Sequence, residues 1–103
     1  MTRLVVTSNA EDDLNKILDY LKVKAGALVA EEYGLKFLTS IERLANFPGV
    51  GSRREAFGPN ARVVVVPPYV LIYDYASAED TVTLLRILHG KRNITRRLVR
   101  SDD

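Results

Sequence analysis

The chain has 103 residues, with 15 Lys and Arg against 13 Asp and Glu, a formal charge of +2 and a pI near 9.0. That length suits one domain, and a hydrophobic share of 47% with 27% charged residues is ordinary for a globular protein. The absence of cysteine excludes disulfides and thiolate metal sites, and a single histidine argues against a zinc site, so neither metal nor cofactor is expected. No apolar run approaches the ~20 residues of a membrane span, and the first residues do not form a signal peptide, so the expected location is the cytoplasm.

Arg3–Thr7 is short and β-branched and predicts a strand. Ser8 followed by Glu11 has the form of a capping box, with Glu11, Asp12 and Asp13 in a first helical turn where the helix dipole favours negative charge. Leu14, Ile17, Leu18 and Leu21 then keep one helical face, predicting a helix over about residues 9–24 that stops near Ala25-Gly26. A second helix is predicted from Leu28 to Asn46, with Val29, Tyr33, Phe37, Ile41 and Leu44 at helical spacing; Gly34 inside it reads as a site of close packing on the first helix. Phe47-Pro48-Gly49-Val50-Gly51 ends it.

Residues 52–61 read as a polar loop with a turn at Gly58-Pro59-Asn60. Three strands follow: Arg62–Val66, Tyr69–Tyr75 and Thr81–His89, the first two parted by Pro67-Pro68 and the last two by Ala76–Asp80. The predicted order is β-α-α-β-β-β, an α+β fold with a helical hairpin on one face of a mostly antiparallel sheet. Residues 1–94 form the domain, and residues 95–103 read as a mobile basic tail in which Arg96, Arg97 and Arg100 are solvated beside Asp102 and Asp103.

Charge is unevenly placed. Arg86, Lys91, Arg92, Arg96, Arg97 and Arg100 crowd the last fifth of the chain, around the lone His89. A buried strand that runs out into His89-Gly90-Lys91-Arg92 delivers cations to a sheet rim, where an anionic or acidic partner can meet them. Arginine outnumbers lysine, and its planar fork suits phosphate or carboxylate.

Several groups of residues resemble a known family when taken in order: Ala10, Asp13-Leu14, Ile17 and Tyr20; Phe47-Pro48 with Gly51; Arg62; Tyr69–Tyr73; and Ile87–Arg92. Over about residues 3–94 they are similar to the ParE branch of the RelE/ParE toxin superfamily, the small toxins of bacterial type II toxin–antitoxin modules. The resemblance implies a hetero-oligomer with a ParD-like antitoxin that carries a ribbon-helix-helix DNA-binding domain, so that DNA is met only through the antitoxin. It implies DNA gyrase as the target of ParE-like members and ribosome-bound messenger RNA as the target of RelE-like ones; one fold carries both.

Cutting RNA through its 2′-hydroxyl needs a base, an acid and cations for the phosphate. The candidates for that chemistry are His89, Arg62, Arg86 and Glu55, the last only if the 52–61 loop folds over the sheet. RelE-like enzymes place a tyrosine where this chain has Ile94, and no tyrosine follows Tyr75. The favoured reading is therefore a non-enzymatic gyrase poison with Arg86, His89, Lys91 and Arg92 as target contacts. Leu14, Leu18, Leu21, Tyr33, Phe37, Arg62 and Tyr73 are the candidates for antitoxin contact. A non-toxic interaction module of the same fold is a further alternative. His89 and Gly90 also have a purely structural reading as a backbone-bonded turn, and the tyrosines Tyr69, Tyr73 and Tyr75 read as core bodies with polar tips.

Overall fold

The computed structural model describes residues 2–101 as one five-stranded sheet with two long helices on one face. In chain order the elements are β1 (Arg3–Val6), α1 (Ser8–Ala25), α2 (Ala27–Asn46), β2 (Ser52–Arg53), β3 (Ala61–Val66), β4 (Tyr69–Ala76), β5 (Thr81–His89) and α3 (Arg96–Val99). The sheet runs β1-β5-β4-β3-β2; β1 lies parallel to β5, and all other neighbours are antiparallel. This is the expected α+β architecture with one more strand. Ser52–Arg53 is polar and too short to show a period, yet it pairs with Val63 and Arg62.

The helices form where the apolar spacing places them. Leu14, Ile17 and Leu18 of α1 and Phe37, Ile41 and Leu44 of α2 meet Leu71, Tyr73, Leu84 and Ile87 in the helix-side core. The start of α1 differs from the predicted capping box. Thr7, one residue earlier than Ser8, is the cap: its hydroxyl oxygen accepts from the Ala10 amide at 3.1 Å and its hydroxyl donates to the Leu85 carbonyl at 3.0 Å. A strand running straight into a helix favours the residue that can satisfy both. Between the helices Gly26 holds φ at +100°, and its amide reaches the carbonyls of Leu21 and Lys22.

β5 breaks the simple alternation. Tyr73 pairs with Leu84 and Ile72 with Arg86, so Leu85 is the extra residue of a bulge. Before the bulge Val82 and Leu84 face the helices; after it Ile87 does, while Leu85 and Leu88 join a second core on the opposite face with Val63 and Ile72. The continuous run Leu84, Leu85, Ile87, Leu88 is thus a strand covered on both sides.

That second cover comes from the segment read as a mobile tail, which the structure corrects. Ile94, Leu98 and Val99 pack on Ile72 and Leu88, and Val99 is buried. Thr95 caps α3 through the Leu98 amide. Arg100 forks onto Asp74 at 2.6 and 2.8 Å and donates to the Phe57 carbonyl; Asn9 donates to the Ser101 carbonyl. The four-residue helix is too short to show a period, and its basic residues hid its apolar ones. Arg96 and Arg97 are exposed, as expected, whereas Asp102 and Asp103 lie outside the described residues.

Gly34 gives an immediate test. A Cβ there would meet only Leu18 side-chain atoms at 3.9 Å, an ordinary contact, so close packing does not require glycine. Gly34→Ala should therefore stabilise the fold by up to about 1 kcal/mol through helix propensity and unfolded-state entropy, read as a higher urea midpoint at unchanged slope.

Candidate functional site

Arg86, like Arg100, donates three side-chain hydrogen bonds. Its Nε and Nη2 donate to the two carboxylate oxygens of Asp13 at 2.7 and 2.9 Å, and its Nη1 donates to the Leu98 carbonyl at 2.9 Å. Asp13 also accepts from the Ile87 amide at 3.0 Å. Both side chains are nearly enclosed, 11% and 12% exposed. The hydrogen bonds to Asp13 raise the Arg86 pKa beyond its already high value, against the opposing effect of burial. An acidic partner for an arginine in an apolar strand is thus present, and it removes Arg86 from the exposed rim. Arg86 is a structural clamp joining α1, β5 and α3, which corrects its reading as a target contact.

The rim itself is the turn after β5. The Gly90 amide donates to the Pro68 carbonyl at 2.8 Å, and a Cβ on Gly90 would lie 3.1 Å from that oxygen, so the close approach favours glycine. His89 Nδ1 accepts from the Lys91 amide at 3.1 Å and its carbonyl accepts from the Arg92 amide at 3.0 Å. Its ring stands edge-on to Tyr69, with centroids 5.6 Å apart. These contacts match the structural reading of His89, and they push the exposed side chains of Lys91 and Arg92 into solvent side by side.

The remaining nuclease candidates sit elsewhere. Arg62 pairs with Tyr73, whereas His89 pairs with Tyr69 on the other side of β4. Strand geometry puts them on the order of 15 Å apart. Glu55 lies exposed in a 3-10 turn over Glu55–Phe57, which leaves from the Arg62 end; the loop does fold over the second face, through Phe57, without carrying Glu55 to His89. The four residues do not converge on one reacting group.

At the Arg62 end a second lock closes the chain. The fully buried Tyr73 donates its hydroxyl to the Pro48 carbonyl at 2.8 Å and accepts from the Gly51 amide at 2.9 Å. Arg62 Nη1 donates to the carbonyls of Gly49 and Gly51 at 3.2 and 2.8 Å. A Cβ on Gly51 would strike Tyr73 and the Val63 carbonyl. Burial raises the Tyr73 pKa above 10.0, despite the lowering effect of the Gly51 amide and Arg62; burial likewise raises that of Tyr69, helped by Tyr33 and Tyr20.

The residues expected to meet an antitoxin are mostly interior. Phe37 and Tyr73 have no exposed surface, and Leu14, Leu18 and Tyr33 pack against the same core. Leu21 is half-buried, and Tyr33 donates to the Pro67 carbonyl under the Lys36 ammonium. The hairpin's inner face serves its own sheet. The open apolar surface is on the other side of α2, where Leu35 is 61% exposed beside Val65 at 59%. The groove between α2 and β3 continues past Arg43 to Val50, and Phe47 stands 63% exposed near its end. Because β2 pairs only with Arg62 and Val63, the outer edge of Val64–Val66 has no strand beside it among the described residues. Sequence period could not find this surface: Val63–Val66 is uniformly apolar and gives no hint of which side is open.

A helical hairpin on a twisted, mainly antiparallel sheet with a parallel first strand defines the RelE/ParE fold. The chain aligns with a chain of the chromosomal ParDE system from P. aeruginosa at a TM-score of 0.74, 22% identity, covering 88% of this chain and 98% of that one. It aligns with the isolated E. coli RelE toxin at 0.57, 15% identity, covering 90% and 88%. Toxin ParE3 of Caulobacter vibrioides is 30% identical over 98 residues, 95% of this chain and 96% of the relative. The model of the ParE toxin of the type II toxin–antitoxin system parDE matches residues 4–94, and the chain belongs to that family.

Two measurements check the locks. Asp13→Ala leaves the Arg86 charge and the Ile87 amide without their partner and should cost about 3 kcal/mol in urea unfolding. Stability should be full below pH 10 and fall as pH rises through the raised folded values of Tyr73 and Tyr69, because the unfolded chain releases those protons first. Tyr73→Phe should flatten that decline in an alkaline titration of the urea midpoint.

Proposed function

We propose that this ParE-family toxin acts by binding DNA gyrase and stalling it on cleaved DNA, and that a ParD-like antitoxin holds it inactive in the bacterial cytoplasm. The observation that carries this reading is the composition of the rim. Lys91 and Arg92 are exposed on a backbone-bonded turn, while His89, Arg62, Arg86 and Glu55 are scattered or engaged. A rim of cations without an assembled acid and base supports recognition of a target rather than cleavage of RNA. Family membership over residues 4–94 points the same way.

The antitoxin reading is supported by the open groove. An extended segment can add its backbone to the free Val64–Val66 edge while apolar side chains enter the space between Leu35 and Val65. The antitoxin's ribbon-helix-helix domain would then carry the assembly's DNA contact, with the toxin meeting DNA indirectly in a hetero-oligomer. Solved relatives include the intact E. coli RelBE toxin–antitoxin complex, at a TM-score of 0.57 and 16% identity.

Induction in a host cell separates the two modes. Gyrase poisoning yields trapped cleavage complexes and DNA-damage signalling with transcripts intact; transcripts cut at ribosomal A sites would overturn it in favour of a nuclease. Replacing Lys91 and Arg92 with alanine should restore growth to the uninduced level while leaving co-purification with the antitoxin unchanged, because neither residue lines the groove.

A further inference from the structure

At the end of the sheet far from the rim, β2 and β3 set two arginines directly opposite each other: Arg53 pairs with Arg62. Directly paired residues of antiparallel strands share a face, and like charges so placed repel. Neither has a carboxylate within ion-pair distance among the described residues. Asp74, in register with the neighbouring Ala61, sends its carboxylate to Arg100 on the other face.

Each guanidinium is anchored along one side only. Arg62 gives Nη1 to Gly49 and Gly51, and Arg53 gives Nη2 to the Pro59 carbonyl at 3.3 Å. Nε and Nη2 of Arg62, with Nε and Nη1 of Arg53, bond no protein acceptor among the described residues. Between the two arginines lies a hollow of about 140 Å³, lined also by Asn60, Tyr75 and Ser77. Two guanidinium forks with donors left over in one hollow match the oxygens of a single oxyanion.

We infer that the Arg53–Arg62 hollow is a carboxylate-binding subsite, filled by an Asp or Glu side chain of a partner peptide lying in the α2–β3 groove. A nucleic-acid backbone calls for a row of cations, and here there are two. Arg62 holds the carbonyl of Gly51, and Gly51 lines the groove, so hollow and groove adjoin through that turn. A peptide on the β3 edge that ends in an acidic residue would meet apolar surface first and the arginines last. Only the naming of the peptide as antitoxin rests on the proposed function.

The test is an NMR titration of the full chain with N-acetylglutamate amide, using N-acetylglutamine amide as the neutral isostere and inorganic phosphate as the rival. The carboxylate should move the Arg53 and Arg62 Nε–H signals saturably, and the isostere should not. Arg53→Gln should weaken the response roughly tenfold, the loss of one charge-assisted contact, with the remaining spectrum unchanged. Arg53 is the residue to change because Arg62 also holds the Gly49–Gly51 turn. Equal responses to glutamate and glutamine, tighter binding of phosphate, or an undiminished response in Arg53→Gln would each overturn the inference. None of these readouts involves gyrase, toxicity or an antitoxin, so a failure here leaves the proposed function untouched.

Discussion

The carboxylate of Asp13 accepts hydrogen bonds from Arg86 Nε, Arg86 Nη2 and the Ile87 amide, and the rest of the structure depends on that meeting. The parallel ladder between β1 and β5 ends at Val6 and Leu84, where the chain turns away into α1. From Leu85 onward the β5 edge would face the helix with its polar groups unpaired, an outcome that buried backbone does not tolerate. Side chains of the turn and first helix take over as a surrogate strand. Thr7 donates its amide to the Leu84 carbonyl and its hydroxyl to the Leu85 carbonyl, and Asp13 accepts from the Ile87 amide. The bulge at Leu85 is what brings Arg86 to the carboxylate. A charge placed inside an apolar strand is normally costly, and here it is matched by a partner in the second turn of α1.

The same clamp extends to the opposite face. Arg86 Nη1 holds the Leu98 carbonyl, Arg100 grips Asp74, and Asn9 reaches Ser101, so three elements fix the C-terminal segment over Ile72 and Leu88. The sheet is therefore covered twice, by long amphipathic helices on one side and by a short polar-looking segment on the other. Gly58, at φ +141° against the Arg100 guanidinium, leaves that arginine the room it occupies.

The parts of the fold legible in the sequence are those whose signal is periodic. Leu14 to Leu21 and Val29 to Leu44 mark their helices because burial on one face repeats every helical turn, and the boundaries of β1, β4 and β5 fall within a residue or so of the expected ones. What stayed hidden depends on partners distant in sequence. Nothing near Arg86 announces Asp13, and nothing near Arg100 announces Asp74. Ser8 and Glu11 fit a capping box as well as any pair, but the Leu85 carbonyl makes Thr7 the better cap. For the site, residue type was readable and exposure was not. Lys91 and Arg92 stand in solvent as their neighbours require, whereas Phe37, Tyr73 and Arg86 carry chemistry suited to a partner and are engaged within the chain.

The residues that carry the resemblance to ParE toxins sort by the same rule. Asp13, Pro48, Gly51, Arg62 and Tyr73 form the two locks, Asp13 on β5 and the Pro48–Gly51 turn on Tyr73 and Arg62, while Phe47 stands exposed beside them. They identify the fold because they close it. The surfaces left to meet other molecules lie around the locks, and Arg62 serves both a lock and the hollow. Lys91 and Arg92 extend beyond the β5 end, while the groove and the Arg53–Arg62 hollow follow β3 along its outer edge. Spatial separation has a functional consequence under the proposed reading. An antitoxin bound along β3 would not need to touch the rim directly, so neutralisation would act through the bulk of the bound partner and the access it denies to a target as large as gyrase. Rim and groove meet at one point, the hydrogen bond from Gly90 to Pro68 beside Pro67 of the groove, so rim and groove mutations close to that bond should couple and the rest should act independently.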